Sequence, residues 1–319
     1  MQATLLFLVA AALLAAGRPI AAQAEETMPK GIKFDRTTKQ RMKIGLIVES
    51  VGVSYRGVFA TTTVPADWPE QKVTILDQEI SRSIGKVSYR TVGGTVKQMV
   101  IEIPRLPAGT EARALVTFEI EHRTILPPDD TSIFVVPTKV QRRNRVYLGS
   151  SPYIETRNRK IRRLAKEVVK DKETAWAQAE SIYDWVRDNV EYKNGKLKGA
   201  VAALRDGDGD CEELTSLFVA MCRVNKIPAR TVWIPGHCYP EFYLQDDDGN
   251  GHWFPCQAAG TRAFGAMPDD RPILQKGDNF RVPEKSKPQR YVAEFLRIKD
   301  VRGNGRPKFR FVRQSVPVN

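Results

Sequence analysis

The sequence is poor in the residues that build disulfide scaffolds and offers few candidates for proton transfer. Among 319 residues there are four cysteines and only three histidines. Four cysteines are too few for a fold that is held together mainly by disulfides. Beyond its N-terminal segment the chain also lacks an apolar run long enough to span a membrane. These absences exclude a disulfide-built scaffold and a polytopic membrane protein.

The overall composition is ordinary except for its charge. Hydrophobic residues make up 42% of the chain and charged residues 27%, as in soluble globular proteins, and the length fits two domains. Lysine and arginine number 50 against 37 aspartates and glutamates, which gives a formal charge of +13. A surface of this sign favours anionic surroundings such as cell-envelope polymers, lipid headgroups or nucleic acid.

The N terminus has the pattern of a signal peptide. An apolar run extends from Leu5 to Ala16, and Ala22-Gln23-Ala24 is a small-x-small cleavage pattern. The alternative is an uncleaved anchor, but this run is short for a membrane span. We therefore predict that residues 1–24 are removed and that the mature protein is exported to the periplasm or the extracellular space. Nucleic acid is excluded as a natural partner by that location.

The rest of the chain predicts an α+β protein with two domains. After a flexible stretch, residues 25–40, the alternation of Val116, Phe118 and Ile120 with polar residues is typical of β-strands. Several such runs separated by turn signals predict a β-sandwich over residues 41–137. A basic linker is expected over residues 138–152. Residues 153–319 are assigned to a second domain with a C-terminal extension.

A basic region opens the second domain. Residues 137–172 contain twelve lysines and arginines and three acidic residues. Lys139 to Arg145 is a candidate anion-binding strip, although a solvated linker and helix face is the favoured interpretation. Helical spacing of apolar residues predicts one helix over Arg157–Lys170 and a second from Trp176 to Val190.

Cys211 is the strongest candidate for a reactive residue. It follows the polar loop Asp206–Asp210, and the apolar residues after it recur at helical spacing, so Cys211 lies at a helix N-terminus. The unpaired N–H groups and the dipole there stabilise a thiolate and, in acyl transfer, an oxyanion. Glu212 and Glu213 oppose the thiolate, so a basic partner is needed.

A hairpin supplies that partner. Residues 237–244 and 250–257 are strand-like and flank a polar turn. If the loop spans 245–249, Leu244 faces Asn250, and His237 stands directly opposite Gln257 on the same face. An amide oxygen there can accept the His237 Nδ1–H and hold the ring toward a thiol. A one-residue slip of the register would break this pairing.

The same register leaves the state of two other cysteines open. Cys238 stands opposite Cys256 on the other face of the hairpin, where the two can form a cross-strand disulfide or pack as apolar residues. A calcium loop starting at Asp246 is disfavoured, because position twelve is Gln257 where a bidentate glutamate is required. A zinc site is disfavoured because no C-x-x-C pair exists.

Several motifs in a fixed order carry a family resemblance. They are Ile182–Arg187, Tyr192, Gly207-Asp-Gly-Asp-Cys211-Glu-Glu-Leu, Ile227-Pro-Ala-Arg230, His237-x-Tyr239-x-Glu241 and Trp253-x-Pro255. Over about residues 150–260 this set resembles the transglutaminase-like superfamily. The resemblance implies a papain-like domain of helices packed on an antiparallel sheet, following the sandwich.

The resemblance also implies roles for three residues. Cys211 falls at the nucleophile, His237 at the base and Gln257 at the third member, where the family usually has aspartate. It implies a thioester acyl-enzyme acting on amide bonds of a peptide or protein, by hydrolysis or transamidation, with no cofactor and no metal. The alternative is a catalytically weak or inactive module of the same fold that binds the cell envelope, because a neutral amide stabilises an imidazolium less than a carboxylate does.

Overall fold

The first half of the protein is a sandwich of antiparallel strands. The computed structural model describes residues 30–302 and 305–318, so the predicted signal peptide lies outside the described residues. Its strands are β1 (Lys33–Glu49), β2 (Ser54–Val64), β3 (Gln71–Ile80), β4 (Lys86–Val92), β5 (Val96–Leu106) and β6 (Glu111–Leu126). β1, β6 and β3 adjoin in one sheet, and β2, β5 and β4 in the other. The alternation that predicted the sandwich is explained by its core, in which Val116, Phe118 and Ile120 are all fully buried.

The second half packs helices on one small sheet. The helices are α1 (Arg159–Val168), α2 (Ala175–Asn189), α3 (Ala200–Asp206) and α4 (Cys211–Val224). The strands are β7 (Glu191–Tyr192), β8 (Asp208–Gly209), β9 (Ala229–Ile234), β10 (His237–Gln245), β11 (Gly251–Pro255) and β12 (Gln275–Lys276). In the antiparallel sheet the order is β11-β10-β9-β12, and α4 lies against β10 in the core. This arrangement confirms the predicted α+β fold class. No helix within the described ranges is long and apolar enough to cross a membrane.

The last two strands depart from the assignment of residues 153–319 to the second domain, whereas β12 pairs with β9 within it. β13 (Phe295–Arg302) pairs with β2, and β14 (Lys308–Val316) pairs with β1, so each completes one sheet of the sandwich. Leu296, Ile298 and Phe311 pack against the sandwich core, which explains where these strands gain stability. Sequence order alone had attached them to the neighbouring helices and strands.

Two further expectations from the sequence need correction. Residues 33–40, expected to be flexible, belong to β1 and pair with β6 from Lys33 opposite Leu126 to Gln40 opposite Ile120. A backbone ladder orders this stretch although most of its side chains are polar. Within the expected linker, Arg142–Leu148 forms a 3₁₀ helix whose Asn144 and Tyr147 are buried, so the linker is partly structured.

A cluster of buried charges joins the two halves of the protein. Glu241 in β10 accepts hydrogen bonds from Arg230 in β9 at 2.7 Å and from Lys276 in β12 at 2.5 Å. The Lys276 ammonium also binds Glu70, which precedes β3 of the sandwich, at 2.5 Å. All four side chains are buried, and we call this group the ion cluster. The guanidinium of Arg230 lies 4.0 Å from the ring centre of Trp253, which covers the cluster.

Candidate active site

The N-terminus of α4 is fixed by a set of acidic side chains. Asp210 caps the helix, and its carboxylate accepts the Glu212 N–H at 2.8 Å. The Glu213 carboxylate turns back and accepts the N–H groups of Asp210 at 3.2 Å and Lys198 at 2.8 Å. Both oxygens of the Glu213 carboxylate are therefore occupied by N–H groups that precede the helix. As the helix pattern predicted, Cys211 is the first residue of α4.

The residue type at Gly209 is dictated by close packing. A Cβ placed there would lie 2.3 Å from the Cβ of Glu213, closer than atoms can approach. Gly209 also pairs with Tyr192 across the short parallel ladder of β7 and β8. This ladder sets the direction from which the chain enters α4, and so the position of Cys211.

The structure brings Cys211, His237 and Gln257 together. The Nε2 atom of His237 lies 3.0 Å from Oε1 of Gln257. The Cys211 sulfur lies close enough to the His237 ring and to Cys238 for both to lower its pKa, while the Cys238 thiol itself donates to the Thr215 hydroxyl at 3.8 Å. The sequence suggested that Nδ1 of His237 would contact Gln257. In the structure Nε2 makes that contact, and Nδ1 is left for the sulfur.

The hairpin register differs from the predicted one by two residues. Leu244 faces His252 rather than Asn250, and Glu241 faces Pro255. Each residue of β10 therefore pairs with a residue two positions later in β11 than predicted. The turn closes one residue later because the Asp246 carboxylate accepts the N–H groups of Asp248 and Asn250 at 3.0 and 2.8 Å. A shift of two residues keeps every side chain on its predicted face.

Gln257 lies beyond the end of β11 and is held by its backbone. Its N–H donates to the Ala263 carbonyl at 2.8 Å, and its carbonyl accepts from the Arg187 guanidinium at 2.7 Å. Arg187 also binds the Gly260 carbonyl at 2.9 Å. The side chain reaches His237 from this anchored backbone rather than through the cross-strand pairing that the sequence suggested.

The protonation states of the pair follow from these contacts. Hydrogen bonding with Cys238 and with the His237 ring outweighs burial and lowers the pKa of Cys211 to about 4. Burial lowers the pKa of His237, but its hydrogen bonds to Cys211 and Gln257 outweigh burial and raise it. Both shifts favour a thiolate beside an imidazolium over a neutral pair.

The two acidic residues after the nucleophile are both occupied elsewhere. Glu213 binds the preceding loop, and Glu212 forms an ion pair with Arg290. Burial raises the pKa of Glu212 to about 7, although Arg290 acts in the opposite direction. The Arg290 guanidinium also lies 5.3 Å from the ring centre of Trp233. The negative charge that was expected to oppose the thiolate is thus partly neutralised.

The other cysteines differ from Cys211 in exposure. Cys211 is partly exposed, whereas Cys222, Cys238 and Cys256 are buried, and all four are free thiols. On the β11 side of β10, Cys256 lies opposite Pro240, whose carbonyl accepts the Cys256 N–H at 3.0 Å, so Cys238 and Cys256 are not cross-strand partners and form no disulfide in this structure. Burial raises the pKa of each of the three buried thiols. Only Cys211 among them combines access with an acidic thiol.

The turn between β10 and β11 is organised by the Asp246 carboxylate. The second oxygen of Asp246 lies 2.8 Å from Nε2 of His252, and the first is taken by the turn N–H groups. Lys30 binds the neighbouring Asp247 and Asp248 at 2.8 and 2.6 Å. These contacts explain the acidic sequence of the turn.

Comparison with known proteins agrees with this architecture. Residues 162–258 match the model of the Transglutaminase-like superfamily, the family that the motifs of this segment resemble. A candidate cysteine protease from Cytophaga hutchinsonii has a similar fold, with a TM-score of 0.58 at 17% identity. That match covers 90% of this chain and 94% of the other. No curated protein matches the sequence at a significant level.

Two more distant structural matches are weaker. The periplasmic domain of TgpA from Pseudomonas aeruginosa, bound to ethylmercury, has a TM-score of 0.32 at 13% identity and covers 64% of this chain and 90% of that one. A candidate protease from Parabacteroides distasonis has a TM-score of 0.29 at 10% identity, covering 69% and 47%. The fold assignment rests on the family match and the first structure.

Sequence reasoning missed three residues around the site. Cys238 approaches the sulfur, Arg187 anchors the Gln257 backbone, and Arg290 neutralises Glu212. The position of Cys238 beside His237 was visible in the sequence, but its contact with the start of α4 depends on how that helix docks on β10. Arg187 belongs to the Ile182–Arg187 motif, but the sequence does not indicate that it binds the Gln257 backbone.

Proposed function

We propose that the protein is a thiol enzyme that acts on amide bonds of peptides or proteins through a thioester. Cys211 is the nucleophile, His237 transfers protons, and Gln257 orients the imidazole. The observation that carries the proposal is the three-membered contact, in which the acidic thiol of Cys211 meets an imidazole held 3.0 Å from an amide oxygen. Unlike the buried thiols, Cys211 is also accessible.

The first half of the reaction forms the acyl-enzyme. The Cys211 thiolate attacks the amide carbonyl carbon, and the electron pair of the carbonyl moves to its oxygen. The imidazolium of His237 gives its proton to the amide nitrogen as the carbon–nitrogen bond breaks. An amine leaves and a thioester between Cys211 and the acyl group remains, with His237 neutral.

The second half releases the acyl group. Neutral His237 takes a proton from an attacking water, the carbon–sulfur bond breaks, and a carboxylic acid and the thiolate–imidazolium pair are produced. An amine in place of water would give transamidation through the same thioester. We favour hydrolysis because water requires no binding channel of its own.

Helix α4 supplies an oxyanion donor. The backbone N–H of Cys211 belongs to the first turn of the helix, where N–H groups have no intrahelical acceptor. This donor and the positive end of the helix dipole stabilise the negative charge on the former carbonyl oxygen. Gln257, being neutral, keeps the ring oriented without adding the charge that an aspartate would provide.

The proposal includes export of the mature chain. The support is the apolar run from Leu5 to Ala16 and the Ala22-Gln23-Ala24 pattern that follows it. The substrate is then a peptide or protein outside the cytoplasm.

An activity probe tests the site directly. We expect a thiol-reactive probe to label Cys211 selectively near neutral pH, with labelling lost in Cys211→Ala and strongly slowed in His237→Ala. His252→Ala is the matched control, because His252 also contacts an oxygen acceptor but lies in β11 next to the turn. Labelling of Cys211 no faster than that of a cysteine in an unstructured peptide would favour the inactive scaffold instead.

Peptide libraries then define the reaction. We expect the wild-type protein, but not Cys211→Ala, to release new amines from a peptide library, and added primary amines to be incorporated only if transamidation competes with hydrolysis. Rapid labelling of Cys211 together with an absence of turnover on peptides and proteins would contradict the proposed amide substrate while leaving the reactive thiol in place.

A further inference from the structure

Helix α1 and its flanks carry an unusual concentration of positive charge. Residues 157–172 contain eight basic and two acidic residues, a formal charge of +6 in sixteen positions of a chain whose total is +13. We call the basic members the α1 basic face. They are Arg157, Arg159, Lys160, Arg162, Arg163, Lys166, Lys170 and Lys172.

These charges point to solvent and are not neutralised by the protein. All eight residues are exposed. Among residues 30–302 and 305–318, none of the eight forms a salt bridge, whereas lysines and arginines on the sandwich, in the ion cluster and near Cys211 do. The opposite side of α1 is apolar and packs inward through Ile161 and Ala165.

The arrangement works against the stability of its own helix. The first turn of α1 contains no acidic residue, although the positive end of the helix dipole lies there. Arg159 and Arg163 are four residues apart, as are Arg162 and Lys166, and like charges at this spacing repel each other. Local stability therefore does not account for the basic face, while a negatively charged surface would relieve the repulsion.

The point where α1 contacts the end of α4 is remote from the nucleophile. The Asn225 side chain, at the C-terminal end of α4, donates to the Ala165 carbonyl of α1 at 2.8 Å. Cys211 begins the same 14-residue helix, so the two ends are about 20 Å apart. A partner bound at α1 would leave the opening at Cys211 free.

We propose that the α1 basic face docks the protein on an anionic phospholipid surface. A bilayer presents phosphates in a plane, and an exposed helix face carrying eight flexible cations fits a plane without needing a pocket. Residues 157–172 include no aromatic side chain for stacking on bases, which disfavours single-stranded nucleic acid. Docking through α1 holds the protein at the membrane.

Vesicle sedimentation with the mature chain tests this proposal. The probes are vesicles of phosphatidylcholine alone and vesicles of an equimolar mixture with phosphatidylglycerol. We expect binding to the anionic vesicles only, with binding weakened as the salt concentration rises. Replacing Arg159, Lys160, Arg162 and Arg163 by Gln should lower the affinity on the order of several hundredfold.

A matched variant separates the α1 face from net charge. Lys72, Arg82, Lys86 and Arg105 are exposed, form no salt bridge in the described ranges and lie on the sandwich. Their replacement by Gln removes the same charge and should leave most of the binding intact. Equal losses in the two variants would overturn the proposal, because they would indicate attraction by total charge.

Two more results would also overturn it. One is equal binding to both kinds of vesicle, and the other is binding to soluble polyphosphate without binding to anionic vesicles. Folding is checked by thermal unfolding, where the α1 variant should unfold at the same or a higher temperature because repulsion within the helix is removed. If it does not fold, Lys166→Gln, Lys170→Gln and Lys172→Gln provide a second variant at the other end of the face.

Discussion

Strand β10 carries two groups of ionisable side chains that are built on different principles. At its first residue, His237 meets Cys211 and a neutral amide, in a place that solvent can reach. Four residues later, Glu241 lies in the ion cluster, enclosed between the sheet and the sandwich. The distance along the strand is small, yet one group is suited to moving a proton and the other to keeping its charges fixed.

The two groups differ in whether their side chains would already be charged in isolation. In the ion cluster, burial would raise the pKa of Glu241, but Arg230 and Lys276 outweigh burial and lower it, so the carboxylate stays ionised. At the candidate active site, a thiol and an imidazole are drawn toward an ion pair only by each other and by their hydrogen bonds. A proton that can return from His237 is what acyl transfer requires.

The largest expected effect separates the two groups by function. Cys211→Ala and His237→Ala should each lower amide turnover by on the order of 10⁴-fold or more, because each removes a partner in bond making or proton transfer. Their thermal stabilities should stay close to that of the wild type. The measurement is the steady-state rate on a peptide found by library screening, with His252→Ala as control. A histidine variant with full activity would contradict the assigned base.

The ion cluster should respond in the opposite way. Glu241→Gln leaves two buried cations with one carboxylate, and we expect it to lower the free energy of unfolding by about 3–5 kcal/mol. Urea titration followed by circular dichroism measures this. The control is Glu121→Gln, which removes an exposed partner of Lys39 and should change stability little. Similar stabilities of the two variants would mean that the cluster is not a significant link between the halves.

The pH dependence of alkylation sharpens the description of the thiol. Because the pKa of Cys211 is lowered to about 4, the thiolate persists as pH falls and is lost only near that value. Alkylation by iodoacetamide should therefore remain fast at pH 6, where an ordinary cysteine is almost wholly protonated. In His237→Ala the midpoint should rise by about two units or more. A wild-type midpoint in the ordinary range of cysteine would contradict the ion pair.

The smallest expected effect concerns the orienting amide. Gln257→Ala should slow alkylation and turnover by about tenfold, since a single hydrogen bond to the ring is lost. Gln257→Asp should make Cys211 more reactive, because a carboxylate stabilises the imidazolium. The comparison of alkylation rates at fixed pH checks both. Equal rates in all three proteins would mean that residue 257 does not orient His237.

The sequence predicted those parts of the site that depend on residues close together in the chain. The placement of Cys211 at a helix start depends on neighbouring residues, and that prediction was confirmed. The hairpin register depended on the Asp246 side chain closing the turn, which the pattern of strands did not reveal. The side-chain contact of Cys238 with Cys211 required the docking of α4 on β10, so no local pattern could supply it.

The fold shows the same limit at larger scale. Alternating residues predicted the sandwich, and the motif set predicted the fold of the second half. The pairing of β14 with β1 joins residues more than 250 positions apart, and nothing in the composition of either strand names its partner. Backbone pairing is shared by all residue types, so the same strand patterns suit several neighbours.

The pairing of the last two strands with the first two has a consequence for biosynthesis. A polypeptide is synthesised from its amino end, so β1 and β2 emerge long before β14 and β13. Until the end of the chain arrives, each early sheet has an open edge where a foreign strand can attach. A premature stop after the helices would therefore leave both sheets of the sandwich incomplete although they are synthesised first, and a chaperone that covers these edges would matter more than one that binds the second half.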